Sequence, residues 1–288
     1  MNDIRLLTPA DLPALDAFLA TAPASNMIMR SNLKNAGLVD GPKPYQGAYA
    51  AIFKNGAIIA AAAHYWTNNI ILFAPTGAGE LAEFLHRHTQ RPVMGLIGPW
   101  NDSITALDHL GVRHRTIDKP PHQEILYELK LVDLVVPANL ADGSVNYRPA
   151  TPDDAETLIG WRIDYEVETI RYERTAALEA RVRETMARTI AGKDWWVATV
   201  NGTPVAMSSF NARLSGMVQV GGVHTPKHLR GRGYARVAVA GSLLDARNDG
   251  ASLGILFTEI TNTPAQKIYE TLGFKRIGDY ALIMLHAE

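Results

Sequence analysis

The feature that most constrains the fold of this 288-residue chain is an internal duplication. Four segments of the first half recur in the same order in the second half: 4–15 with 147–158, 55–56 with 201–202, 107–112 with 269–274, and 127–131 with 280–284. Thr8-Pro9 and Thr151-Pro152 each follow a strand-like run, and threonine followed by proline is typical of a helix start. The Asn-Gly pairs lie between apolar runs, where they favour a two-residue hairpin turn. One domain plan therefore occurs twice.

Small and turn-forming residues separate the two copies, so we expect a linker at 137–145 between a first domain at 1–136 and a second at 146–288. In the second copy, apolar periodicity predicts strands at 146–150, 195–200, 204–211, 216–224, 252–258 and 278–285, with helices within 152–190, at 234–247 and at 264–272. Strands followed by crossing helices predict an α/β fold, α+β in detail, built on a mixed sheet.

Composition excludes several classes of function. The 28 Lys and Arg residues are balanced by 29 Asp and Glu residues, so no basic excess favours a nucleic-acid partner. The chain has no cysteine, which excludes disulfides and Cys-ligated zinc and fits a cytoplasmic location. The N-terminus lacks a secretion-signal layout, and the most apolar run, 57–63, is far shorter than the roughly 20 residues of a membrane span. We therefore expect no membrane partner.

The strongest chemical signal lies at 216–247. An apolar strand interrupted by Gly221-Gly222 is followed by Arg230-Gly231-Arg232-Gly233, after which the apolar spacing becomes helical. Glycine inside a strand marks a bulge or a close backbone approach. The unpaired N–H groups and the dipole at a helix start bind anions, and glycines let the backbone come close to a phosphate. The segment predicts a diphosphate site.

Three known phosphate motifs can be compared with this loop. A P-loop would need Gly-Lys-Ser/Thr, which is absent, and the dinucleotide fingerprint fails because Arg236 stands where its third glycine would be. A plain surface loop stays open as an alternative. The remaining pattern is R-x-x-G-x-A, formed by Arg230, Gly233 and Ala235. It resembles the Gln/Arg-x-x-Gly-x-Gly/Ala signature of the GNAT superfamily of N-acetyltransferases.

A second element extends the resemblance. Asn262, Ala265, Tyr269 and Leu272-Gly273-Phe274 resemble the family's N-x-x-A-x-x-x-Y-x-x-x-G-F ending. The resemblance covers 146–288 well and 1–136 only in outline. It implies two tandem GNAT-like domains, each with a mixed, mostly antiparallel sheet flanked by helices. It also implies transfer of an acetyl group from acetyl-CoA to a primary amine of a small molecule or peptide.

Site residues follow from the resemblance by position. The pantetheine arm would lie against Val223 and Thr225, and Asn262 would face the cofactor. The diphosphate would meet the signature loop: Arg230, Gly231, Arg232, Gly233, Tyr234 and Ala235. Tyr269 would give a proton to the departing thiolate, although an inward tyrosine by itself is also read as core packing.

The residue that deprotonates the amine is not evident, because 216–224 holds no acid. Glu259, Glu166, Glu168 and a water relay are the candidates, and each carboxylate is equally read as an ordinary surface group. The substrate pocket is expected between the early helices and the sheet. Its candidate lining is Trp161, Tyr165, Glu168 and Arg171, with one packed helix face and a charged rim as the alternative.

The first copy lacks both signals. Its loop at 73–80 has glycines but no Arg or Gln start, an acid follows, and Leu107 stands where the tyrosine would be. We therefore predict a degenerate copy that supports the second domain.

His86 and His88 are two apart and do not share a helix face, so no metal is expected. A silent CoA-binding sensor or scaffold, a nucleotide-binding regulator, and a homodimer remain open.

Overall fold

A computed structural model describes residues 3–287. Its strands are β1 Asp3–Leu6, β2 Gly47–Lys54, β3 Ala57–Tyr65, β4 Asn69–Phe73, β5 Gly95–Pro99, β6 Gln123–Lys130, β7 Asn146–Pro149, β8 Trp195–Val200, β9 Thr203–Leu214, β10 Met217–His224, β11 Leu253–Glu259 and β12 Lys275–Met284. Its α-helices are α1 Leu12–Leu19, α2 Met27–Ala36, α3 Ala78–Thr89, α4 Trp100–His109, α5 Ala138–Ala141, α6 Ala155–Glu168, α7 Ala176–Ala191, α8 Tyr234–Asn248 and α9 Thr263–Thr271.

The chain divides into two compact units. Unit 1 contains 3–126, 257–262 and 276–287, and unit 2 contains Tyr127–Leu256 and Thr263–Lys275. The units thus interleave along the chain, whereas the sequence predicts two consecutive domains at 1–136 and 146–288. The difference lies in the last strand of each copy and in residues 257–262, which also belong to unit 1.

From Arg276 on, β12 of the second copy belongs to unit 1, and from Tyr127 on, β6 of the first copy belongs to unit 2. In unit 1, β12 pairs antiparallel with β5, from Tyr280↔Pro99 to Met284↔Gly95. In unit 2, the end of β6 lies beside β11. The segments 127–131 and 280–284 are the pair that recur in sequence, and their similar apolar patterns let either strand complete either sheet.

Both units have a mixed, mostly antiparallel sheet flanked by helices, which confirms the predicted fold class. The strand order is β1-β2-β3-β4-β5-β12 in unit 1 and β6-β11-β10-β9-β8-β7 in unit 2. Each sheet has one short parallel pairing. It runs from Asn69↔Gly95 to Ile71↔Ile97 in unit 1, and from Met217↔Leu253 to Gln219↔Ile255 in unit 2. The duplication read from the sequence is therefore a duplication of topology.

The two hairpin turns have the backbone that Asn-Gly predicts. Asn55 and Gly56 have φ of 52° and 79°, and Asn201 and Gly202 have φ of 49° and 78°. Positive φ at both central residues defines the turn whose twist matches that of the flanking strands. The β2–β3 and β8–β9 hairpins therefore form where the sequence places them.

The two helix starts are built alike around a buried or half-buried carboxylate. Asp154 accepts hydrogen bonds from the Thr151 backbone N–H at 2.8 Å and from Arg148 at 2.6 and 2.9 Å. Asp11 makes the same bonds with the Thr8 N–H at 2.8 Å and with Arg5 at 2.6 and 2.9 Å. The arginine lowers the pKa of each carboxyl below its usual range.

The sheet of unit 2 has a different helix layer on each face. Val197 and Met207 pack with α6 and α7, while Ala198 and Ala206 pack with α8. On the α8 side, the Trp196 indole and the Tyr147 hydroxyl also donate to Asp245, at 2.8 and 3.0 Å. Neighbouring residues of β8 and β9 thus point to opposite faces, as the period of a strand requires.

The capping carboxylates generate a stability prediction. Asp154→Asn should lower the free energy of unfolding by about 2 kcal/mol, because it leaves the Arg148 guanidinium without its ion pair and weakens the cap. Asp11→Asn should cost a similar amount. Urea unfolding followed by circular dichroism measures both.

Asp153→Asn is the matched control, since it removes a charge from an exposed neighbour. It should change stability by less than about 0.5 kcal/mol. Equal losses for Asp153→Asn and Asp154→Asn would contradict a structural role for the Asp154 cap.

Candidate functional site

The site is organised by the place where β10 loses its parallel neighbour. Pairing between β10 and β11 ends at Gln219↔Ile255, and β10 continues to His224. In the part of the chain that the structure describes, the edge of β10 after Gln219 has no parallel partner strand. A strand edge of this kind presents peptide N–H and C=O groups that an extended ligand can pair with.

A glycine bulge shapes the end of β10. The register against β9 shifts between Gly221↔Ser209 and His224↔Met207, so β10 holds one extra residue there. Gly222 has a φ of +59°, and a Cβ at this position would lie 2.6 Å from the Ser209 hydroxyl oxygen. That hydroxyl donates to the Gly221 carbonyl at 2.9 Å. The bulge anticipated from Gly221-Gly222 is present, and glycine is required for it.

The glycine-rich loop ends in a left-handed turn at the start of α8. Gly231 and Gly233 have φ of +79° and +78°, and Gly233 is the N-cap of the 15-residue helix α8. The first N–H groups of a helix have no acceptor within the helix. The first turn of α8 contains no acidic residue, and the Arg236 guanidinium lies 3.1 Å from where a Cβ of Gly233 would be. Backbone, dipole and cations together fit a diphosphate.

Arg230 links the end of β10 to Glu168 through two hydrogen bonds. Its Nε donates to the Thr225 carbonyl at 2.9 Å, and its Nη2 donates to the Glu168 carboxylate at 2.6 Å. Lys227 Nζ lies 3.2 Å from the other Glu168 oxygen. The Arg230 hydrogen bond lowers the pKa of Glu168, which makes this carboxylate a weaker proton acceptor. Arg230 therefore joins the end of β10 to the end of α6.

The residues expected along the pantetheine arm lie at the end of β10. Val223 and Thr225 are half-buried and flank His224. The Thr225 hydroxyl oxygen and the Gln219 side-chain carbonyl oxygen are buried without a hydrogen-bond partner among residues 3–287. Buried polar atoms are nearly always paired, so unpaired ones beside an open strand edge fit a polar ligand.

His224 is a functional candidate that reasoning from the sequence missed. Only 6% of its surface is exposed, and its Nε2 is buried without a partner among the described residues. Burial lowers the pKa of its imidazole, while Glu168 and Asp164 raise it and Arg230 lowers it further. The strand holds no carboxylate, but a neutral histidine at its end can accept a proton as a carboxylate does.

Tyr269 points inward from α9, as its helical spacing predicts. Its side chain is 7% exposed, and its ring lies 6.4 Å from that of Tyr127 and 5.9 Å from that of Phe274. Gly273, with φ of +100°, ends the helix and lets Phe274 return onto its last turn. The phenol therefore belongs to an aromatic cluster within unit 2.

Glu259 and Asn262 lie in unit 1, apart from the loop and Tyr269 in the division of the chain. The Glu259 carboxylate is 2.8 Å from His122 Nδ1 and also accepts a hydrogen bond from the Thr261 hydroxyl. The Asn262 backbone N–H donates to the Glu259 carbonyl at 2.9 Å. Asn262 thus lies in the turn between β11 and α9, and Glu259, the last residue of β11, already has hydrogen-bonding partners.

The candidate substrate residues are spread over the α6 surface. Trp161 and Tyr165 are half-buried and pack against the core between α6 and α7. Glu166 is buried, with Arg162 at 2.6 Å and Arg181 at 3.4 Å, so its charge is compensated within the helix layer. Arg171 lies in the segment after α6 with a φ of 64°. Within this set, the ion pair of Glu168 with Arg230 directly joins α6 to the loop.

In unit 1, a side chain of the unit itself takes up a backbone N–H at the position that corresponds to the open edge of β10. Just past the short parallel pairing of β4 and β5, the Ala74 N–H donates to the Asp102 carboxylate at 2.8 Å. Burial raises the pKa of Asp102. The next helix, α3, begins after Gly77 at φ 68°, but its first turn carries Glu80 and no cation. An internal acceptor and an acid therefore stand where the second copy has an open edge and arginines.

Two further properties complete the description of residues 3–287. They contain no cluster of three or more His, Cys, Asp or Glu side chains able to hold a metal ion. None of their helices combines the length and apolar character needed to cross a bilayer.

Comparisons with known proteins agree with this geometry. The family described as acetyltransferase (GNAT) domain matches residues 145–275, whereas a comparison with curated proteins finds no match. Among solved structures, the fold is similar to that of a Drosophila protein, with a TM-score of 0.68, 13% identity and 99% of each chain covered. A GCN5-related N-acetyltransferase from Sphaerobacter thermophilus has a TM-score of 0.61 and 17% identity, over 98% of this chain and 94% of that one.

A tandem GNAT protein from the clavulanic acid biosynthesis pathway has a TM-score of 0.55 and 12% identity, over 98% of this chain and 97% of that one. These identities support a common fold only. The family match covers the segment that holds the open strand edge, the glycine-rich loop and all of α9. The comparisons thus give a match to the acetyltransferase (GNAT) domain family at residues 145–275 and a similar fold over nearly the whole chain.

Proposed function

We propose that this protein transfers an acetyl group from acetyl-CoA to a primary amine of a small molecule or peptide. One observation carries the proposal: the left-handed turn at Gly231 and Gly233 opens α8 directly after β10 loses its parallel partner. An anion site therefore lies at the end of an unpaired strand edge. That combination suits a ligand with a diphosphate and an amide-containing arm.

The diphosphate would accept hydrogen bonds from backbone N–H groups between Gly231 and Ala235. Arg232 is exposed beside this turn, and the Arg236 guanidinium lies against Gly233. Arg230 is held by Glu168 and the Thr225 carbonyl, so its main task is to fix the loop against the end of β10. In this arrangement, positive charge comes from Arg232, Arg236 and the helix dipole.

The pantetheine arm would pair with the edge of β10 beyond Gln219 and reach Val223 and Thr225. The Thr225 hydroxyl oxygen, buried and unpaired among the described residues, would then gain a partner. The thioester carbonyl would lie near the N–H of Val223, which can stabilise the oxyanion that forms as the amine attacks. The amide bond forms as the C–S bond breaks, and Tyr269 gives a proton to the departing sulfur.

The first copy would act as a supporting domain. Asp102 takes up the Ala74 N–H internally, and Glu80 places a negative charge at the start of α3. Both features oppose a phosphate or a thioester arm at this place. A single coenzyme site, in unit 2, follows from this proposal.

Thiol release measured with acetyl-CoA and a panel of primary amines tests the proposed function, together with calorimetric titration of CoA. Turnover with CoA binding supports it. CoA binding without turnover on the whole panel would favour a sensor or scaffold. A melting temperature raised by ATP or NAD, but not by CoA, would favour a nucleotide-binding regulator.

A single substitution tests the glycine-rich loop. Gly233→Glu should weaken CoA binding by about 100-fold or more. It places bulk and negative charge at the diphosphate and removes charge-assisted hydrogen bonds that contribute about 1.5–3 kcal/mol each. Isothermal titration with CoA measures the affinity.

Gly250→Glu is the matched control at the other end of α8, because Gly250 is exposed and has a φ of +91°. Both substitutions force a glutamate into the left-handed region, at a cost of about 1–2 kcal/mol of stability. Gly250→Glu should keep the affinity for CoA. Unchanged affinity in Gly233→Glu would remove the loop from the binding site.

A second substitution tests Tyr269 as the proton donor to the departing sulfur. Tyr269→Phe should lower kcat by about 10–100-fold, because the leaving thiolate loses its proton source while the ring packing is kept. Affinity for CoA should stay within about twofold, since the phenol is assigned to the chemical step. Steady-state thiol release and CoA titration give the two numbers.

Tyr127→Phe serves as the control for this substitution. It removes a phenol from the same aromatic cluster, one that donates to Glu270 at 3.1 Å and has no assigned part in the reaction. Equal kcat values for wild type and Tyr269→Phe would exclude Tyr269 as the acid.

A further inference from the structure

We propose that His224 is the group that takes the proton from the substrate amine, through its Nε2 and either directly or through one water. This inference rests on the proposed acetyl transfer and deepens it by naming the missing base. Three independent observations support it: the direction of the side chain, the unpaired nitrogen, and the engagement of the carboxylates that were the other candidates.

The glycine bulge turns His224 toward the α6 side of the sheet. Opposed residues of an antiparallel pair point to the same face. His224 is opposite Met207, which packs with α6 and α7. If the ladder continued unbroken from Gly221↔Ser209, His224 would be opposite Ala206, which packs with α8. The extra residue at Gly222 therefore brings the imidazole to the face where the amine is expected.

The imidazole of His224 is buried, but one of its nitrogens has no hydrogen-bond partner among the described residues. Only 6% of the surface of His224 is exposed, and its Nε2 has no hydrogen-bond partner among residues 3–287. An imidazole nitrogen left unpaired in the interior costs free energy unless a water or a ligand completes it. Its neighbour in sequence, Thr225, also has a buried unpaired oxygen. Two consecutive residues thus present polar atoms at the open end of β10.

The charges that face His224 come from α6 and from the loop. Asp164 and Glu168 belong to α6, and Arg230 belongs to the loop after β10. Burial outweighs the two carboxylates and keeps the pKa of His224 below its ordinary value of 6.5. The imidazole is therefore neutral at pH 7 and can accept a proton, while nearby carboxylates favour the approach of an ammonium group.

The competing carboxylates are already engaged. Glu166 is held by Arg162 and Arg181, Glu168 by Arg230 and Lys227, and Glu259 by His122. The hydrogen bond from Arg230 lowers the pKa of Glu168, which makes this carboxylate a weaker proton acceptor, and the carboxylates of Glu166 and Glu259 already have partners. Among these groups, His224 is the one that is both neutral and unpaired at its reactive atom.

The proton balance of the step is complete. The substrate ammonium gives one proton to His224 Nε2, which passes it to solvent. The neutral amine attacks the thioester carbonyl, the N–C bond forms, and the C–S bond breaks. The second proton lost by the nitrogen replaces the one that Tyr269 donates to sulfur, so the products are the amide, CoA with a free thiol, and one released proton.

His224→Gln tests this role by separating protonated from neutral acceptors. With the alkylamine of the panel that turns over fastest, kcat/KM at pH 7 should fall by about 100-fold or more, within the usual range for a lost base. Hydroxylamine, which is already uncharged at pH 7, should keep its rate. His114→Gln, which removes an exposed imidazole from unit 1, should alter neither reaction.

The pH profile supplies a second readout. Because the folded pKa of His224 is depressed, wild-type kcat/KM should hold down to pH 6.5 and fall only below it, as the imidazole becomes charged. His224→Gln should lose this acid limb. Titration of the ring by NMR of labelled histidine, without any substrate, should give a midpoint below 6.5, and this reading does not depend on how the variant folds.

The outcomes separate the two proposals. Wild-type turnover with an unchanged kcat/KM in His224→Gln, or equal losses for alkylamine and hydroxylamine, would overturn the role of His224 alone. A ring midpoint at or above 6.5 would also overturn it. CoA binding without thiol release from any amine would overturn the proposed function, and with it this inference.

Discussion

The short parallel pairing between β10 and β11 is the constraint on which the candidate site depends. Three residue pairs hold the two strands together, and the edge of β10 then continues without a parallel partner. Unpaired peptide groups of a strand are costly when buried, so such an edge persists where water or a ligand satisfies it. Gly231 and Gly233 turn the chain into α8 just past this edge, which brings an anion-binding helix start to its end. In the proposed function, coenzyme recognition would depend chiefly on backbone groups, and few side chains would be needed to specify it.

The same constraint is met differently in unit 1. The pairing of β4 with β5 also stops after three residue pairs, but the N–H of Ala74, the first residue after β4, is satisfied by Asp102 at 2.8 Å. A carboxylate from α4, the helix after β5, thus supplies the acceptor that a ligand would supply in the other unit. The two copies therefore share their topology and differ in the group that accepts the hydrogen bonds of the strand edge. This contrast is the basis for proposing a supporting role for the first copy and a coenzyme site in the second.

Local rules account for the parts of the structure that were predictable from sequence. Asn-Gly fixed both hairpins, Thr-Pro with an aspartate fixed both helix starts, and paired glycines marked the bulge, because each depends on a few neighbouring residues. The exchange of β6 and β12 was not predictable, since two strands with similar apolar patterns fit either sheet. The hydrogen bond of Arg230 to Glu168 and the unpaired Nε2 of His224 depend on residues far apart in sequence. Composition and spacing carry no information about such contacts.

The glycine bulge connects a local sequence pattern, Gly221-Gly222, to the geometry of the candidate site. Gly221-Gly222 reads in the sequence as a weak point of a strand, yet its effect is to add one residue to β10 and to reverse the face on which His224 lies. Arg230 then ties Glu168 to the Thr225 carbonyl, so the strand end, the loop and α6 are held together around the imidazole. A larger residue at Gly222 would collide with Ser209 and oppose the left-handed backbone, and a regular ladder would direct His224 toward α8. The direction of one side chain, and with it the chemistry that it can perform, is thus set by the backbone two residues earlier.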